Sequence, residues 1–173
     1  SKRTKAVVTG GCGFIGSHLA ERLLREGFNV TVIDNLSSGK LDNIRHIAHS
    51  VEFIEGDIRD DLVLEKAIEG AWAVFHQAAF ISVPESVIRP AECFDINVGG
   101  TTKVIRAAVS LGVDAMVMAS SCAVYGNDTI FPLEEKASLS PLSRYAVSKA
   151  VGEQLLRGCC SRANTSRCYC CYY

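Results

Sequence analysis

The chain has 173 residues, of which 48% are hydrophobic and 21% are charged, and its formal net charge is −1 at pH 7. This is the composition of an ordinary globular protein with one core, and the small net charge excludes bulk electrostatic attraction to nucleic acid or to an anionic membrane surface. No apolar run approaches the roughly 20 residues that a membrane-spanning helix needs, and no signal peptide is visible, so a soluble, cytoplasmic protein is expected.

Short apolar runs alternate along residues 1–158 with stretches of helical periodicity. The predicted strands are Lys5–Thr9, Asn29–Ile33, Val51–Ile54, Ala71–His76 and Ala115–Ala119, and the predicted helices are Phe14–Glu26, Asp60–Glu69, Pro90–Leu111 and Leu142–Arg157. Continuous apolar strands separated by helices are typical of a parallel sheet covered on both faces. The sequence therefore predicts an α/β fold with a doubly wound parallel (Rossmann) sheet in the strand order 3-2-1-4-5.

A glycine motif lies between the first predicted strand and the first predicted helix. Gly10, Gly13 and Gly16 have the spacing Gly-x-x-Gly-x-x-Gly. Glycines in such a turn permit the tight bend, let the backbone approach a pyrophosphate and let the helix pack close to the sheet. The N–H groups at the helix start then attract the phosphates. A merely glycine-rich turn is the alternative, but the position between strand and helix favours a dinucleotide site.

Asp34 ends the second predicted strand, where a carboxylate can accept hydrogen bonds from the ribose hydroxyls of adenosine. Because that anion would repel a 2′-phosphate, NAD is favoured over NADP. A turn or helix-cap aspartate beside Asn35 is the alternative. Asp57 follows the third strand and is a candidate for the adenine edge, although Asp60 or Asp61 could simply cap the next helix.

Tyr145 and Lys149 are spaced i, i+4 and therefore share one face of the last predicted helix. A free tyrosine has a pKa of about 10 and is a poor base at neutral pH. A nearby ammonium, reinforced by a positive nicotinamide ring, favours the phenolate and lowers that pKa. Ser120 and Ser121 follow the fifth predicted strand, at the edge where parallel sheets hold ligands, so a serine hydroxyl there can reach the reacting group.

Taken together, residues 5 to about 158 resemble the extended short-chain dehydrogenase/reductase family, in its NAD-dependent epimerase/dehydratase branch. The motifs in the family's order are Gly10–Gly16, Gly56-Asp57-Ile58, His76-Gln77-Ala78-Ala79, Asn97, Ser120–Gly126 and Tyr145–Lys149. The resemblance implies a catalytic triad of Ser121, Tyr145 and Lys149. Ser121 is preferred to Ser120 because it stands four residues before Tyr125, where the family carries its Ser or Thr.

The resemblance also implies the ligands and their contacts. The residues expected to bind NAD are Gly10, Gly13, Phe14, Ile15, Gly16, Asp34, Asn35, Ser38, Gly39, Asp57, Ile58, Gln77, Ala78, Ala79, Asn97, Tyr145 and Lys149. The residues expected to contact the substrate, a UDP-sugar, are Ser82, Ser121 and Tyr145. For full-length members of the family the resemblance implies a homodimer.

Two positions bear on the branch of the family. The 4,6-dehydratases carry an Asp-Glu pair directly after the catalytic Ser or Thr, and this chain has Cys122 and Ala123 there. The segment from Ser82 to Ser86 resembles the 4-epimerases that act on UDP-glucose or UDP-N-acetylglucosamine, whereas Ile81 stands where some of them have lysine. The resemblance therefore implies a UDP-sugar 4-epimerase that works by transient oxidation at C4 with bound NAD. An NAD-binding module without turnover, and another oxidoreductase of the same branch, are the alternatives.

The tail at residues 159–173 differs from the preceding NAD-binding domain, 1–158. It contains five of the eight cysteines and no valine, isoleucine, leucine or acidic residue. No strand and no domain are expected there, the family's C-terminal substrate domain is expected to be absent, and the fifth strand is expected to be an unpaired edge. A shifted reading frame, a truncation and a natural end are all compatible with this tail. Its cysteine spacings lack the paired Cys-x-x-Cys of structural zinc sites, so no metal site is expected.

Overall fold

The computed structural model describes residues 4–127, 132–160 and 167–171. In these ranges six parallel strands form one sheet in the order β3-β2-β1-β4-β5-β6. The strands are β1 Lys5–Thr9, β2 Asn29–Asp34, β3 Val51–Glu55, β4 Ala71–His76, β5 Ala115–Ala119 and β6 Arg167–Cys171. The predicted doubly wound order of the first five strands is confirmed, and a sixth strand extends it.

Helices cover both faces of the sheet. They are α1 Phe14–Arg25, α2 Asp61–Ile68, α3 Val83–Ile88, α4 Pro90–Phe94, α5 Thr101–Ser110 and α6 Arg144–Cys160, with 3₁₀ turns at Leu41–Ile47 and Cys122–Tyr125 and a π-helical segment at Asp95–Gly100. None of the helices in the described ranges is long and apolar enough to cross a bilayer.

Strand β1 shows how the sheet divides the core, since successive side chains of a strand point to opposite faces. Ala6 and Val8 pack in one apolar cluster with Ala20 and other residues of α1. Val7 packs in the opposite cluster, which α2, α5 and α6 cover and to which Leu64 of α2 belongs. All five of these side chains are fully buried. A strand that is buried on both faces explains why β1 is continuously apolar.

The long helix predicted over Pro90–Leu111 is wound less regularly than expected. Its middle is the π-helical segment Asp95–Gly100, which ends in two glycines, the residues least suited to a helix interior apart from proline. A Cβ on Gly100 would lie 2.6 Å from Cδ1 of Ile58, so the chain passes close to the neighbouring loop there. The wider turn accommodates this close approach.

The C-terminal residues differ most from the prediction. β6 pairs with β5 in parallel, with Arg167 beside Ala115 and Cys171 beside Ala119. The predictions that the tail contains no strand and that β5 is an unpaired edge are therefore wrong. Strand pairing uses backbone N–H and C=O groups, which almost any sequence supplies, and the edge of β5 offers them a partner. Helix α6 also runs past residue 158 to Cys160, and the domain boundary placed there stays a prediction.

Candidate active site

A cavity of about 540 Å³ lies where the strands end at their carboxyl edge. Its walls include most of the predicted ligand contacts: Gly10, Gly13, Phe14, Ile15, Gly16, Asp34, Asn35, Ser38, Gly39, Asp57, Ile58, Gln77, Ala78, Ala79, Ser82, Tyr145 and Lys149. Two predicted site residues, Asn97 and Ser121, are outside this lining. The carboxyl edge of a parallel sheet is where such folds hold their ligands.

The glycine loop depends on glycine at two positions. Gly10 has a φ of +67°, and a Cβ there would lie 2.7 Å from the backbone nitrogen of Ala78. A Cβ on Gly16 would collide with the carbonyl oxygen of Gly10. Helix α1 follows with Gly13 as its N-cap and no side chain capping its first N–H groups. The helix start therefore faces the cavity with backbone donors suited to an anion.

Asp34 is 7% exposed and held in a fixed orientation at the cavity. Its Oδ2 accepts a hydrogen bond of 2.9 Å from the backbone N–H of Cys12, and its Oδ1 accepts one of 2.8 Å from that of Leu36. A Cβ on Gly39 would lie 2.9 Å from both carboxylate oxygens. The bond from Leu36, two residues further along the chain, is typical of an aspartate in a turn, so Asp34 also has the turn role that the sequence left open. Two carboxylate oxygens have about four acceptor sites, which leaves capacity for ribose hydroxyls.

A charged network surrounds Asp57 at the same end of the cavity. The Arg59 guanidinium donates bonds of 2.8 and 2.7 Å to the two Asp57 oxygens and a further bond of 2.7 Å to Asp95. Asn35 donates to Asp57 at 2.9 Å. Hydrogen bonds from Arg59 hold the pKa of Asp57 well below its usual range. Helix α2 is capped by Asp60, so Asp57 does not serve as its cap.

His76 at the end of β4 supports the segment that follows it. The side chain is 2% exposed, with Nδ1 2.7 Å from Thr9 Oγ1 and Nε2 2.9 Å from Thr101 Oγ1. Thr9 Oγ1 also accepts a 3.2 Å hydrogen bond from the backbone N–H of Ala78, which lines the cavity. Burial, and then the charge of Lys149, lower the pKa of His76 to about 3, so its imidazole is neutral at physiological pH.

The structure places Asn97 behind the cavity wall. Its Oδ1 accepts a 2.7 Å bond from the backbone N–H of Phe80, and its Nδ2 donates to the Phe80 carbonyl at 3.0 Å. The same Nδ2 donates to Ser148 Oγ at 2.9 Å. Phe80 itself lines the cavity. Asn97 therefore holds a lining residue in place from behind the cavity wall, and its contact with NAD stays a prediction.

The predicted triad comes together at the other end of the cavity. Ser121 is hydrogen-bonded to the phenol of Tyr145, and its Oγ accepts a 3.3 Å bond from the backbone N–H of Ala123. Lys149 Nζ lies 5.9 Å from the centre of the Tyr145 ring. Although Ser121 is not in the cavity wall, it reaches the site through Tyr145, which is.

The pKa values at this end correct one expectation. Burial lowers the pKa of Lys149 to about 8. Burial also raises the pKa of Tyr145, while the hydrogen bond with Ser121 works in the opposite direction. The expected lowering of the Tyr145 pKa by Lys149 is absent from the polypeptide alone, because Nζ lies over the ring and donates to the Ala119 carbonyl. The expectation also required a nicotinamide charge, which the polypeptide does not supply.

Glu153 is a residue that the sequence reasoning missed. It is fully buried on α6, and Ser120 Oγ donates a hydrogen bond to its Oε1. Ser120 lines the cavity beside Ala119. The available signal was the spacing, because Glu153 follows Lys149 by the same four residues that separate Lys149 from Tyr145.

Arg89 is a second missed residue of the cavity wall. It pairs with Glu85 at 2.6 Å and with Glu92 at 2.8 Å, and its guanidinium lies 5.3 Å from the centre of the Phe80 ring. Only the helical spacing of Arg89 with its two glutamates hinted at these pairs. In the described part of the chain no group of three His, Cys, Asp or Glu side chains is arranged to hold a metal ion.

This geometry defines a dinucleotide-binding domain of the Rossmann type, with a serine, a tyrosine and a lysine together at one end of its cavity. The model of the NAD dependent epimerase/dehydratase family matches residues 6–172. The chain belongs to that family. The match includes the residues of β6.

Known proteins similar to this chain include both epimerases and dehydratases. A UDP-glucose 4-epimerase of Streptomyces lividans is 36% identical over 157 residues, which are 89% of this chain and 47% of that protein. The crystal structure of UDP-glucose 4-epimerase from Brucella ovis in complex with NAD has a TM-score of 0.89 at 34% identity, covering 96% of this chain and 50% of that one. The crystal structure of DesIV, a dTDP-glucose 4,6-dehydratase from Streptomyces venezuelae with NAD bound, has a TM-score of 0.90 at 31% identity. The match covers 96% of this chain and 54% of that one. The chain thus spans about half the length of these relatives.

Proposed function

We propose that this chain supplies the NAD site and the catalytic residues of a UDP-sugar 4-epimerase of the UDP-glucose/UDP-galactose type. The observation that carries the proposal is one cavity with Asp34 and the glycine loop at one end and Tyr145 with Lys149 at the other. The first end has the backbone donors and the carboxylate that a dinucleotide needs. The second end has a proton acceptor and a cation beside the place of reaction.

NAD, when bound, supplies an acceptor for the hydride of a sugar C4 and returns it. Tyr145 takes the proton of the sugar 4-hydroxyl through its phenolic oxygen and gives it back after the sugar has turned over. Ser121 has one hydroxyl proton, which it donates to that phenol in the polypeptide alone and to the reacting oxygen of the sugar once the substrate is bound. Lys149 holds the cofactor ribose.

The raised pKa of Tyr145 makes its activation depend on the loaded site. Burial disfavours the phenolate, and the hydrogen bond with Ser121 opposes this only in part. An additional positive charge next to the phenol lowers its pKa again. Base catalysis by Tyr145 is therefore favoured when a positive charge, such as that of a nicotinamide ring, lies beside the phenol.

Epimerisation is favoured over dehydration by the turn that follows Ser121. Cys122 and Ala123 occupy the positions at which the dehydratases have Asp and Glu. Elimination of water needs an acid and a base at the sugar C5 and C6, and neither side chain is a carboxylic acid. The fold does not decide this point, because an epimerase and a dehydratase are similarly close in structure.

A second candidate function is a module that binds NAD without turnover. The observation that favours it is the set of residues that form the cavity wall. Most of the predicted site residues in the cavity wall are expected to contact the cofactor, and only Ser82 and Tyr145 are expected to contact the sugar. Positioning of a substrate can supply about 7–11 kcal/mol of a reaction barrier, so a weakly held sugar would turn over slowly.

One experiment separates these functions. The purified chain is incubated with NAD and UDP-galactose, while UDP-glucose is followed by anion-exchange chromatography and NADH by its absorbance. A 4-epimerase forms UDP-glucose without net NADH. A dehydrogenase of the same branch accumulates NADH in proportion to oxidised sugar, and a binding module does neither although it binds NAD. Absence of both turnover and NAD binding would refute the proposal.

A further inference from the structure

Adjacent serines at the end of β5 use their hydroxyls in opposite ways. Ser121 Oγ accepts the backbone N–H of Ala123 at 3.3 Å, so its proton is available to Tyr145. Ser120 Oγ instead donates its proton to Glu153 Oε1. A serine hydroxyl has one proton and two lone pairs. With the proton directed to Glu153, Ser120 faces the cavity only as an acceptor.

Glu153 is placed so that this direction is fixed. Its side chain has no exposed surface, and its second oxygen lies 3.7 Å from a nitrogen of Arg157, a side chain that is 64% exposed. A buried carboxylate is costly unless hydrogen bonds and opposite charge satisfy it. The Ser120 hydroxyl is one of these partners, and reversing it would remove a donor from a buried anion. Ser120 is itself only 3% exposed, so the pair with Glu153 is shielded from water.

The position of Ser120 shows which part of the ligand it meets. It lines the cavity together with Ala119, Tyr145 and Lys149. The ammonium of Lys149 donates to the Ala119 carbonyl at 3.0 Å. In the proposed function this is the reacting end of the cavity, so Ser120 lies beside the reacting part of a bound ligand.

We infer that Glu153 is a positioning residue, which takes the Ser120 proton and so fixes Ser120 Oγ as the acceptor for an N–H or O–H group at the reacting end of the ligand. The inference rests on the proposed function. Two sources can supply such a donor: the carboxamide N–H of the cofactor and a hydroxyl of the sugar. A ligand group that can only accept hydrogen bonds is disfavoured at the same place.

The test is a double-mutant cycle on NAD affinity, measured by titration calorimetry of the full chain. Ser120→Ala removes the acceptor, and Glu153→Leu removes its partner at similar volume. If Glu153 acts through Ser120, each variant weakens NAD binding by a similar factor, roughly 3- to 10-fold for one hydrogen bond, and the double variant is no weaker than either. Glu153→Gln keeps a carbonyl acceptor and is expected to recover part of the loss.

A purely structural role is distinguished by the choice of ligand. The acetylpyridine analogue of NAD lacks the amide N–H. If the carboxamide is the donor, the coupling between positions 120 and 153 disappears when the analogue replaces NAD. A sugar donor predicts coupling only when UDP-glucose is titrated into the NAD-loaded chain. If Glu153 has only a structural role, its replacement lowers the melting temperature and weakens the binding of NAD and of the analogue to the same extent. Where Glu153→Leu does not fold, Glu153→Asp replaces it, because the shorter side chain withdraws the carboxylate from Ser120.

The outcomes separate this inference from the proposed function. Failure of the unmodified chain to bind NAD refutes both. Normal NAD binding, with variant effects that add in the NAD and UDP-glucose titrations, refutes the role of Glu153 and leaves the proposed function standing.

Discussion

Lys149 Nζ donates a 3.0 Å hydrogen bond to the carbonyl oxygen of Ala119, the last residue of β5. This bond ties α6 to the carboxyl edge of the sheet, so that Tyr145, one helical turn earlier, faces the cavity. Lys149 is only 8% exposed, and its burial lowers its pKa to about 8. The bond thus links the position of the reacting end to the fold of the sheet.

Replacing Asp34 tests the cofactor end. Asp34→Ala should weaken NAD binding and reduce the preference for NAD over NADP, because the carboxylate that accepts ribose hydroxyls and repels a 2′-phosphate is lost. It should also cost about 1–3 kcal/mol of stability, since the buried N–H of Cys12 and the half-buried N–H of Leu36 lose their acceptor. Calorimetry with both cofactors, beside thermal melting, measures the two effects.

The matched control for this variant is Asp42→Ala, at an exposed aspartate outside the cavity wall. It should leave both cofactor affinities unchanged. Equal NAD affinity in Asp34→Ala and the unmodified chain would exclude a ribose contact at Asp34.

Tyr145→Phe tests the proton transfer. The variant keeps the ring and should bind NAD about as well as the unmodified chain. Any 4-epimerase turnover should fall by about 10²- to 10⁴-fold, the usual contribution of general-base catalysis. Tyr169→Phe, at a tyrosine that is 56% exposed on β6, is the control and should not change turnover. Near-normal turnover in Tyr145→Phe would remove its phenol from the mechanism.

Gly16→Ala tests the packing of the glycine loop. The added Cβ would collide with the Gly10 carbonyl, so the loop must shift and NAD binding should fall sharply. Gly158→Ala is the control, because in the described part of the chain no atom beyond its chain neighbours and its own helix backbone lies within 4 Å of its Cβ position on α6. That change should leave NAD binding unaltered and raise helix stability slightly. Unchanged NAD affinity in Gly16→Ala would show that the close approach is not needed.

His76 predicts a pH dependence of stability. Its pKa in the folded chain is about 3, below the 6.5 of the free side chain, so the unfolded chain binds more protons between these values. The free energy of unfolding should therefore fall as pH decreases below about 6.5, by up to about 1.4 kcal/mol per pH unit. Denaturant unfolding between pH 7 and pH 5 measures it.

The comparison variant for this effect is His76→Gln, which has no titrating group. Its free energy of unfolding should change less with pH than that of the unmodified chain across the same range. The other three histidines, His18, His46 and His49, are exposed and remain in both proteins, so they cancel. Parallel pH curves for the two proteins would contradict a buried neutral His76.

Local patterns predicted most of the sheet but not its last strand. Strands β1, β2, β4 and β5 are mainly apolar and buried because helices cover both faces of the sheet, and hydrophobicity reports that burial directly. β6 carries arginine, cysteine and tyrosine, and its place depends on the edge that β5 offers, a long-range relation that no local pattern shows. The regular winding expected for Pro90–Leu111 failed for a similar reason, since the close approach of Ile58 to Gly100 is set by tertiary packing.

The candidate site was predictable where a residue's role follows from its place on an element. Asp34 at a strand end and Tyr145 with Lys149 on one helix face are such cases. The partners behind the wall were not predictable, because Ser120 and Glu153 are far apart in sequence and meet only in the fold. Asn97 was placed in the lining for the same reason, since its bonds to Phe80 cannot be read from spacing.

The central claim is that the cavity at the carboxyl edge of the sheet is an NAD site. Its most direct test is a calorimetric titration of the chain with NAD, repeated with NADP. The account predicts saturable binding of one NAD per chain and clearly weaker binding of NADP, because the carboxylate of Asp34, if it binds the ribose as proposed, would repel a 2′-phosphate. No measurable NAD binding by the folded chain, or equal affinity for the two cofactors, would contradict it.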